Sequence, residues 1–86
     1  MRPYKEIEIE KNIFIREFSK ETNSEEMKWH RDYEDRIIES IGETDWLIQL
    51  DNELPKVISD KVFIPRGVYH RLIKGSGDLK IKLVKL

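Results

Sequence analysis

The chain has 86 residues, a formal net charge of −1 and charged side chains at 38% of its positions. At this length we expect one domain, residues 1–86, with a modest core. Because the net charge is close to zero, we expect neither nucleic acid nor a membrane surface as a partner. The absence of cysteine excludes disulfides and thiolate metal sites. Residues 1–6 lack the apolar core of a signal peptide and no apolar run is long enough to cross a membrane, so we expect a soluble, cytoplasmic protein.

Strand patterns dominate the chain in sequence order. Glu6 to Glu10 alternates glutamate with isoleucine, and residues 12–18 continue with an apolar run. The other predicted strands are short apolar runs between turn residues, and they cover residues 46–50, 56–58, 62–64, 69–74 and 79–83. Several short strands at this spacing predict an all-β sandwich or barrel of about eight or nine strands.

The segment 23–41 carries two conflicting signals. Apolar residues recur there at helical spacing, and Asn23 with Glu26 matches a capping box, which together favour an amphipathic helix. As a strand, the same segment would place alternate residues on one face. That face would carry His30, Asp32, Glu34 and Arg36.

A proline, a glycine and a histidine follow the predicted strand at residues 62–64. Pro65 cannot donate to a sheet ladder, and Gly67 can take the positive φ that a sharp turn requires. The chain would then return as a strand that begins near His70. This pattern predicts a hairpin that presents His70 at the end of a sheet, although a histidine that is merely exposed or packed would give the same pattern.

Pro65-x-Gly67-x-x-His70 resembles the second conserved motif of the cupins, and His30-x-Asp32 resembles their first motif with Asp32 in place of a second histidine. The resemblance covers roughly residues 27–74. It implies a small cupin-like β-barrel with a jelly-roll topology. It also favours the strand interpretation of residues 27–41, with Gly42 where two strands meet. The chain departs from the family pattern at Arg36 and Ile37, which stand where a glutamate is expected.

The resemblance implies a divalent-metal site in the barrel, with His30, Asp32 and His70 as ligands and Glu34 as a possible further ligand. Two imidazoles and one carboxylate suit Fe, Mn, Ni or Zn and leave open coordination positions for a small polar molecule.

Arg36 is the main objection to a metal, because a divalent ion repels a guanidinium. It would instead pair with Glu34 or Asp32 and form a metal-free pocket, or it would hold an acidic substrate beside the metal. Gln49 is a second candidate pocket residue, although a place on the solvated face is equally compatible with the sequence.

Two classes of function stay open: a small metal-dependent enzyme, and a binding or interaction module without catalysis. Trp29 and Trp46 are interpreted as core or interface aromatics. The predicted edge strands further indicate a homodimer with residues 4–18 near the interface.

Overall fold

The computed structural model describes residues 4–23 and 25–86. Residues 1–3, part of the N-terminal segment considered above, lie outside the described residues, as does residue 24. A 3₁₀ turn covers Glu25–Met27. Eight strands make up the rest of the regular structure: β1 (Lys5–Glu10), β2 (Ile13–Phe18), β3 (Arg36–Ser40), β4 (Leu47–Leu50), β5 (Lys56–Val57), β6 (Val62–Ile64), β7 (His70–Ile73) and β8 (Leu79–Lys85). The described residues contain no α-helix, so the prediction of an all-β protein is confirmed.

The strands form two antiparallel sheets. One sheet has five strands in the order β1-β2-β8-β3-β6, and the other has three in the order β5-β4-β7. Alternate residues of the strands point between the two sheets, as the two-residue period of a strand requires. Within the described residues, no helix has the length and apolar character needed to cross a membrane.

Twelve buried apolar side chains fill the space between the sheets. They are Phe18, Ile38, Trp46, Ile48, Leu50, Ile58, Val62, Ile64, Leu72, Leu79, Ile81 and Leu83. Trp46 is fully buried, and its indole N–H donates a hydrogen bond to the carbonyl oxygen of Gly77 at 2.6 Å, which satisfies its polar atom. Trp46 is therefore a core residue, whereas Trp29 lies at the surface with 45% of its area exposed.

The predicted hairpin around Gly67 is wrong. Strands β6 and β7 lie in different sheets, and the turn at Pro65 and Gly67 carries the chain from one sheet to the other. Gly67 has φ +80°, which explains why glycine occupies this turn. Strands β3 and β4 likewise lie in different sheets rather than pairing around Gly42, whose φ is +87°.

Both interpretations of residues 27–35 are also wrong. The helical pattern yields only the 3₁₀ turn, and β3 begins at Arg36. Between them the chain forms a single strand-like bridge, at His30, and otherwise bonds to the Pro65–Gly67 turn. The amide of Gly67 donates to the carbonyl oxygen of Asp32 at 2.9 Å, and the amide of Arg66 donates to Oδ1 of Asp35 at 2.7 Å. These bonds tie together the two segments that carry the histidines.

Candidate metal centre

His30 and His70 lie directly opposite each other. The amide of His30 donates to the carbonyl oxygen of His70 at 3.0 Å, and the amide of His70 donates back at 2.8 Å. This single antiparallel bridge extends the three-stranded sheet beside β7. The two ring centroids are 4.3 Å apart. The sheet itself therefore brings the two imidazoles together.

The Nδ1 atom of each ring faces a backbone carbonyl oxygen. Nδ1 of His30 lies 2.8 Å from the oxygen of Lys28, and Nδ1 of His70 lies 2.9 Å from that of Val68. A carbonyl oxygen only accepts hydrogen bonds, so Nδ1 must carry the proton in both rings. In the neutral tautomer, Nε2 then presents a lone pair, which is the arrangement that outer partners impose on metal-binding histidines.

Each Nε2 atom faces a carboxylate. Nε2 of His30 is 3.0 Å from Oε2 of Glu26, and Nε2 of His70 is 3.2 Å from Oδ2 of Asp32. A lone pair and a carboxylate oxygen repel each other unless a proton or a cation lies between them. Nε2 of His30 and Oδ2 of Asp32 are buried, and neither has a hydrogen-bond partner of acceptable geometry among the described residues.

A divalent ion fits this donor set. One ligand atom from each of His30, Asp32 and His70 lies within 4.8 Å of the others. Three ligands about 2.1 Å from one ion, at right or tetrahedral angles to one another, are roughly 3.0–3.4 Å apart, so movements of about 1 Å would let all three share it. The donor types are those of first-row transition metals. An ion here would also satisfy the two buried atoms that lack hydrogen bonds.

Arg36 and Glu34 form a separate pair beside this group. The Nη2 and Nε atoms of Arg36 lie 2.8 and 3.1 Å from Oε1 of Glu34. Nε of Arg36 also lies 3.4 Å from Oδ2 of Asp32. The structure thus brings His30, Asp32 and His70 together but holds Glu34 at the guanidinium, so the expectation of Glu34 as a ligand is corrected.

Two further charged residues, Arg16 and Glu26, adjoin the site and were not among the site residues expected from the sequence. Arg16 is 5% exposed, forms an ion pair with Glu6, and has Nη1 3.6 Å from Oε1 of Glu26. Two signals were present in the sequence. Alternation along β2 places Arg16 on the same face as the core residue Phe18, and Glu26 precedes His30 by four residues, one turn in the helical interpretation.

The charges shift three pKa values in consistent directions. Burial alone would raise the pKa of Asp32, but contact with His70 and the charge of Arg36 outweigh it and hold this pKa below its ordinary value. Burial alone would also raise the pKa of Glu26, yet His30 and then Arg16 lower it. Burial would lower the pKa of His30, but the contact with Glu26 and the Lys28 carbonyl raise it. The metal-free site therefore favours charged carboxylates and a protonated His30.

A small internal cavity of about 20 Å³ adjoins the site. Its polar lining comes from Arg16, Glu26, Arg36 and His70, and the remaining lining is apolar. This volume accommodates roughly one water molecule.

Gln49 does not line this cavity, which corrects its interpretation as a pocket residue. It lies on the other face of β4, where its Oε1 accepts hydrogen bonds from Nε and Nη2 of Arg71 at 3.0 and 2.9 Å. The alternation of β4 explains this, because the neighbouring Ile48 and Leu50 are the buried residues. A larger groove of about 640 Å³, lined in part by Tyr4 and Leu79, contains none of the candidate ligands.

No protein-family model matches the chain, and no curated protein matches it in sequence. Solved structures do match its fold. A candidate mannose-6-phosphate isomerase from Ralstonia eutropha JMP134 superposes with a TM-score of 0.70 at 17% identity, over 95% of this chain and 81% of the other. A Neisseria meningitidis protein gives 0.64 at 15% identity, over 96% and 81%.

A cupin domain from Bordetella pertussis Tohama I gives a TM-score of 0.61 at 15% identity, over 99% of this chain and 95% of the other. Identities this low establish the fold alone. The cupin-like jelly-roll fold implied by the sequence resemblance is confirmed.

Proposed function

We propose that this cupin-fold protein binds one divalent transition-metal ion through His30, Asp32 and His70, and that the metal centre binds or transforms a small polar molecule. One observation carries the proposal. One ligand atom from each of His30, Asp32 and His70 lies within 4.8 Å of the others, and the buried atoms Nε2 of His30 and Oδ2 of Asp32 have only salt-bridge contacts, at 3.0–3.4 Å. These contacts lack good hydrogen-bond geometry, and a shared cation would give each buried atom a ligand bond.

The donor set suits Fe, Mn, Ni or Zn, since two imidazoles and one carboxylate leave positions open on such ions. A bound ion of this kind supplies Lewis acidity toward an oxygen of the bound molecule. The chain's own contribution is orientation. The carbonyl oxygens of Lys28 and Val68 hold the two rings so that both Nε2 atoms point into the site.

A small molecule would reach the site from the side of His30. The side chain of His30 is 21% exposed and that of Glu26 is 23% exposed, whereas that of His70 is 5% exposed. The cavity behind His70 has space for about one water molecule only. A compact polar molecule would bind on this exposed side and not in the cavity, and sugar phosphates are a first class to assay because one structural neighbour is a candidate mannose-6-phosphate isomerase.

A second candidate function rests on Arg36. Its guanidinium nitrogen Nε lies 3.4 Å from Oδ2 of Asp32 and neutralises the negative charge of that carboxylate without any metal. In this alternative, the protein is a metal-free binding or interaction module with an Arg36–carboxylate pocket and no catalysis. The two proposals differ in a measurable quantity, the amount of metal bound per chain.

The test is a metal titration of chelator-treated protein at pH 7.5 with Zn²⁺, Mn²⁺, Ni²⁺ and, without oxygen, Fe²⁺. We expect one ion per chain for at least one of these metals by calorimetry and elemental analysis. His70→Ala and His30→Ala should weaken binding by more than the roughly 10–100-fold that loss of an outer partner causes.

Asp32→Asn provides the matched carboxylate test, because it keeps the size of the side chain and removes the charge. Asp51→Asn is its control, since Asp51 is exposed and lies outside the ligand group. Asp51→Asn should bind metal like the natural protein. Absence of stoichiometric binding for all four metals, or equal affinity in Asp32→Asn, would refute the metal proposal and favour the metal-free pocket.

A further inference from the structure

Two arginines and two aromatic rings lie together on the outer side of the three-stranded sheet. The bridge between His30 and His70 aligns the sequence neighbours of the two histidines, and strand alternation turns those neighbours away from the metal centre. A guanidinium consequently lies over each ring, 4.9 Å from its centroid in one pair and 5.3 Å in the other. The two pairs, called here the arginine–aromatic face, are Arg71 with Trp29 and Arg31 with Tyr69.

Arg71 is held in a fixed orientation by the neighbouring strand. Its Nε and Nη2 atoms donate to Oε1 of Gln49, which lies beside it in register on β4. Within the described residues, Nη1 of Arg71 and the guanidinium of Arg31 donate no hydrogen bond, and neither arginine forms an ion pair. The face therefore presents two positive charges with free N–H donors, and one of them is already oriented.

The composition of this face is that of a protein–protein interface. Trp29 and Tyr69 are 45% and 43% exposed. Tryptophan, tyrosine and arginine supply most of the binding hot spots at such interfaces. An apolar row adjoins them on the same side of the sheet, because Val57 lies beside Leu47 and Leu47 lies beside Ile73 in register. Aromatic, arginine and aliphatic side chains that meet on one exposed face indicate an interaction site.

The spacing of the two arginines indicates the form of the partner. Arg31 and Arg71 lie on neighbouring strand segments and two residues apart along them, so their Cα atoms are roughly 8 Å apart from usual strand dimensions. Alternate side chains of an extended peptide project from one side at intervals of roughly 7 Å. Carboxylates at positions i and i+2 of an extended segment would therefore each reach one guanidinium, whose planar fork favours bidentate pairing.

We propose that the arginine–aromatic face binds an extended acidic segment of another protein, with carboxylates two residues apart on Arg31 and Arg71 and an apolar side chain against Trp29. The site is separate from the metal centre and does not depend on a bound ion.

Charge complementarity is the reason to choose this occupant. Asp51 is the acid beside Tyr69, since its amide donates to the carbonyl oxygen of that residue, but it pairs with neither arginine within the described residues. The carboxylates must therefore come from the partner. Single-stranded nucleic acid also offers anions and stacking bases, but its binding relies on a broad basic surface and the chain has a net charge of −1.

The test is an NMR titration of isotope-labelled, chelator-treated protein at low salt. The probe is the acetylated and amidated peptide Leu-Ser-Glu-Ser-Glu-Ser-Leu, which places two glutamates and two leucines on one side when extended. We expect a dissociation constant below about 1 mM. The indole N–H resonance of Trp29 should shift during the titration, and that of the buried Trp46 should stay in place. The same peptide with glutamines instead of glutamates should bind at least tenfold more weakly.

Variants of the two arginines locate the binding. Arg31→Met and Arg71→Met should each weaken binding of the glutamate peptide at least threefold, the range of exposed ion pairs, and the double variant at least tenfold. Lys80→Met is the control of equal charge change, because Lys80 lies on the five-stranded sheet beside Glu17, and it should leave the affinity unchanged. Thermal unfolding should show that each variant is folded.

Equal affinity for the glutamine and glutamate peptides would overturn the proposal. So would an unshifted Trp29 indole, or a loss of affinity in Lys80→Met as large as that in Arg31→Met. A short single strand of oligothymidine is the third probe, and tighter binding of it than of the peptide would assign the face to nucleic acid instead. If an arginine variant fails to fold, the comparison of the two peptides and the shift of Trp29 still decide. Because the protein is metal-free throughout, a failed metal titration would leave this result unaffected.

Discussion

His30 and His70 donate backbone hydrogen bonds to each other, at 3.0 and 2.8 Å, although forty residues separate them in the sequence. The same bridge sets the positions of both rings, whose centroids are 4.3 Å apart. The imidazole pair is thus part of the sheet's hydrogen bonding and not the result of two flexible side chains meeting. A site held by backbone hydrogen bonds is preorganised, which reduces the cost of ordering ligands around an ion.

The stability of the metal-free protein should pass through a maximum in mildly acidic solution. The raised pKa of His30 contributes stability that is complete below its ordinary pKa of 6.5 and is lost as pH rises through the folded value. The lowered pKa values of Asp32 and Glu26 contribute stability that is complete above 3.8 and 4.5 and is lost as pH falls through the folded values. We expect a plateau between about pH 4.5 and 6.5 in urea unfolding with chelator present.

The alkaline side of this profile provides the specific test. Between pH 6.5 and 9 the free energy of unfolding should fall by up to about 1 kcal/mol, the range of partly exposed ion pairs. His30→Gln cannot titrate, so its profile should be flatter over the same interval. An identical decline in His30→Gln would assign the effect to another group.

Metal affinity should change with pH in the opposite direction. A protonated imidazole cannot bind a metal, so the ion must displace the proton that His30 retains because of Glu26. Affinity should rise by about one log unit per pH unit for each displaced proton while His30 remains protonated. Calorimetry in two buffers of different ionisation enthalpy measures that proton release directly, and an affinity that is constant from pH 5.5 to 7.5 would contradict this coupling.

Replacement of Arg36 should affect stability and metal affinity in opposite directions. Arg36→Met leaves Asp32 and Glu34 without their cation, which should lower the free energy of unfolding by about 3 kcal/mol, the lower end for a broken buried pair because Glu34 is partly exposed. The affinity for a divalent ion should rise at least tenfold, since a positive charge 3.4 Å from a ligand oxygen is removed.

Arg31→Met is the control for this prediction. Arg31 is exposed, and its guanidinium lies 5.3 Å from the centroid of the Tyr69 ring. It should change neither quantity substantially. Arg36→Glu should tighten metal binding further, and an Arg36→Glu protein unchanged in both stability and affinity would refute the role assigned to the guanidinium.

Gly67 and Gly77 form a matched pair for testing backbone strain. A Cβ atom built at either position meets no atom within 4 Å, so neither substitution creates a steric clash. Only Gly67 has a positive φ, +80°. Gly67→Ala should therefore destabilise the protein by about 1–2 kcal/mol in urea unfolding. Gly77→Ala should be neutral or slightly stabilising, and equal effects would show that conformation is not the cause.

Much of the fold followed from local patterns. The predicted runs at residues 62–64 and 79–83 coincide with β6 and the start of β8, because alternating apolar residues bury one face of a strand. Which strands pair with each other could not be predicted equally well. The turn at Gly67 suggested a hairpin, but a turn residue determines where the chain bends and not which sheet receives the next strand.

The residues of the candidate site were likewise predicted only in part. The resemblance to the cupin motifs implied His30, Asp32 and His70 as ligands, and the structure brings them together. Glu34 does not join the ligands as strand alternation predicted, because the chain between His30 and Arg36 bonds to a turn and is not a continuous strand. Proximity of Glu26 to His30 was available only from a helical pattern that the fold does not realise as a helix.

By itself the sequence determined the all-β class and the bends, because these depend on alternation, glycine and proline within a few residues. Tertiary structure alone decided the sheet to which each strand belongs and the partner that each charged side chain meets. Arg36 could have paired with either of two nearby acids, and its pairing with Glu34 and Asp32 depends on how residues 31–35 fold against the Pro65–Gly67 turn. Contacts between segments distant in sequence depend on the packing of the whole chain, and local patterns do not encode that packing.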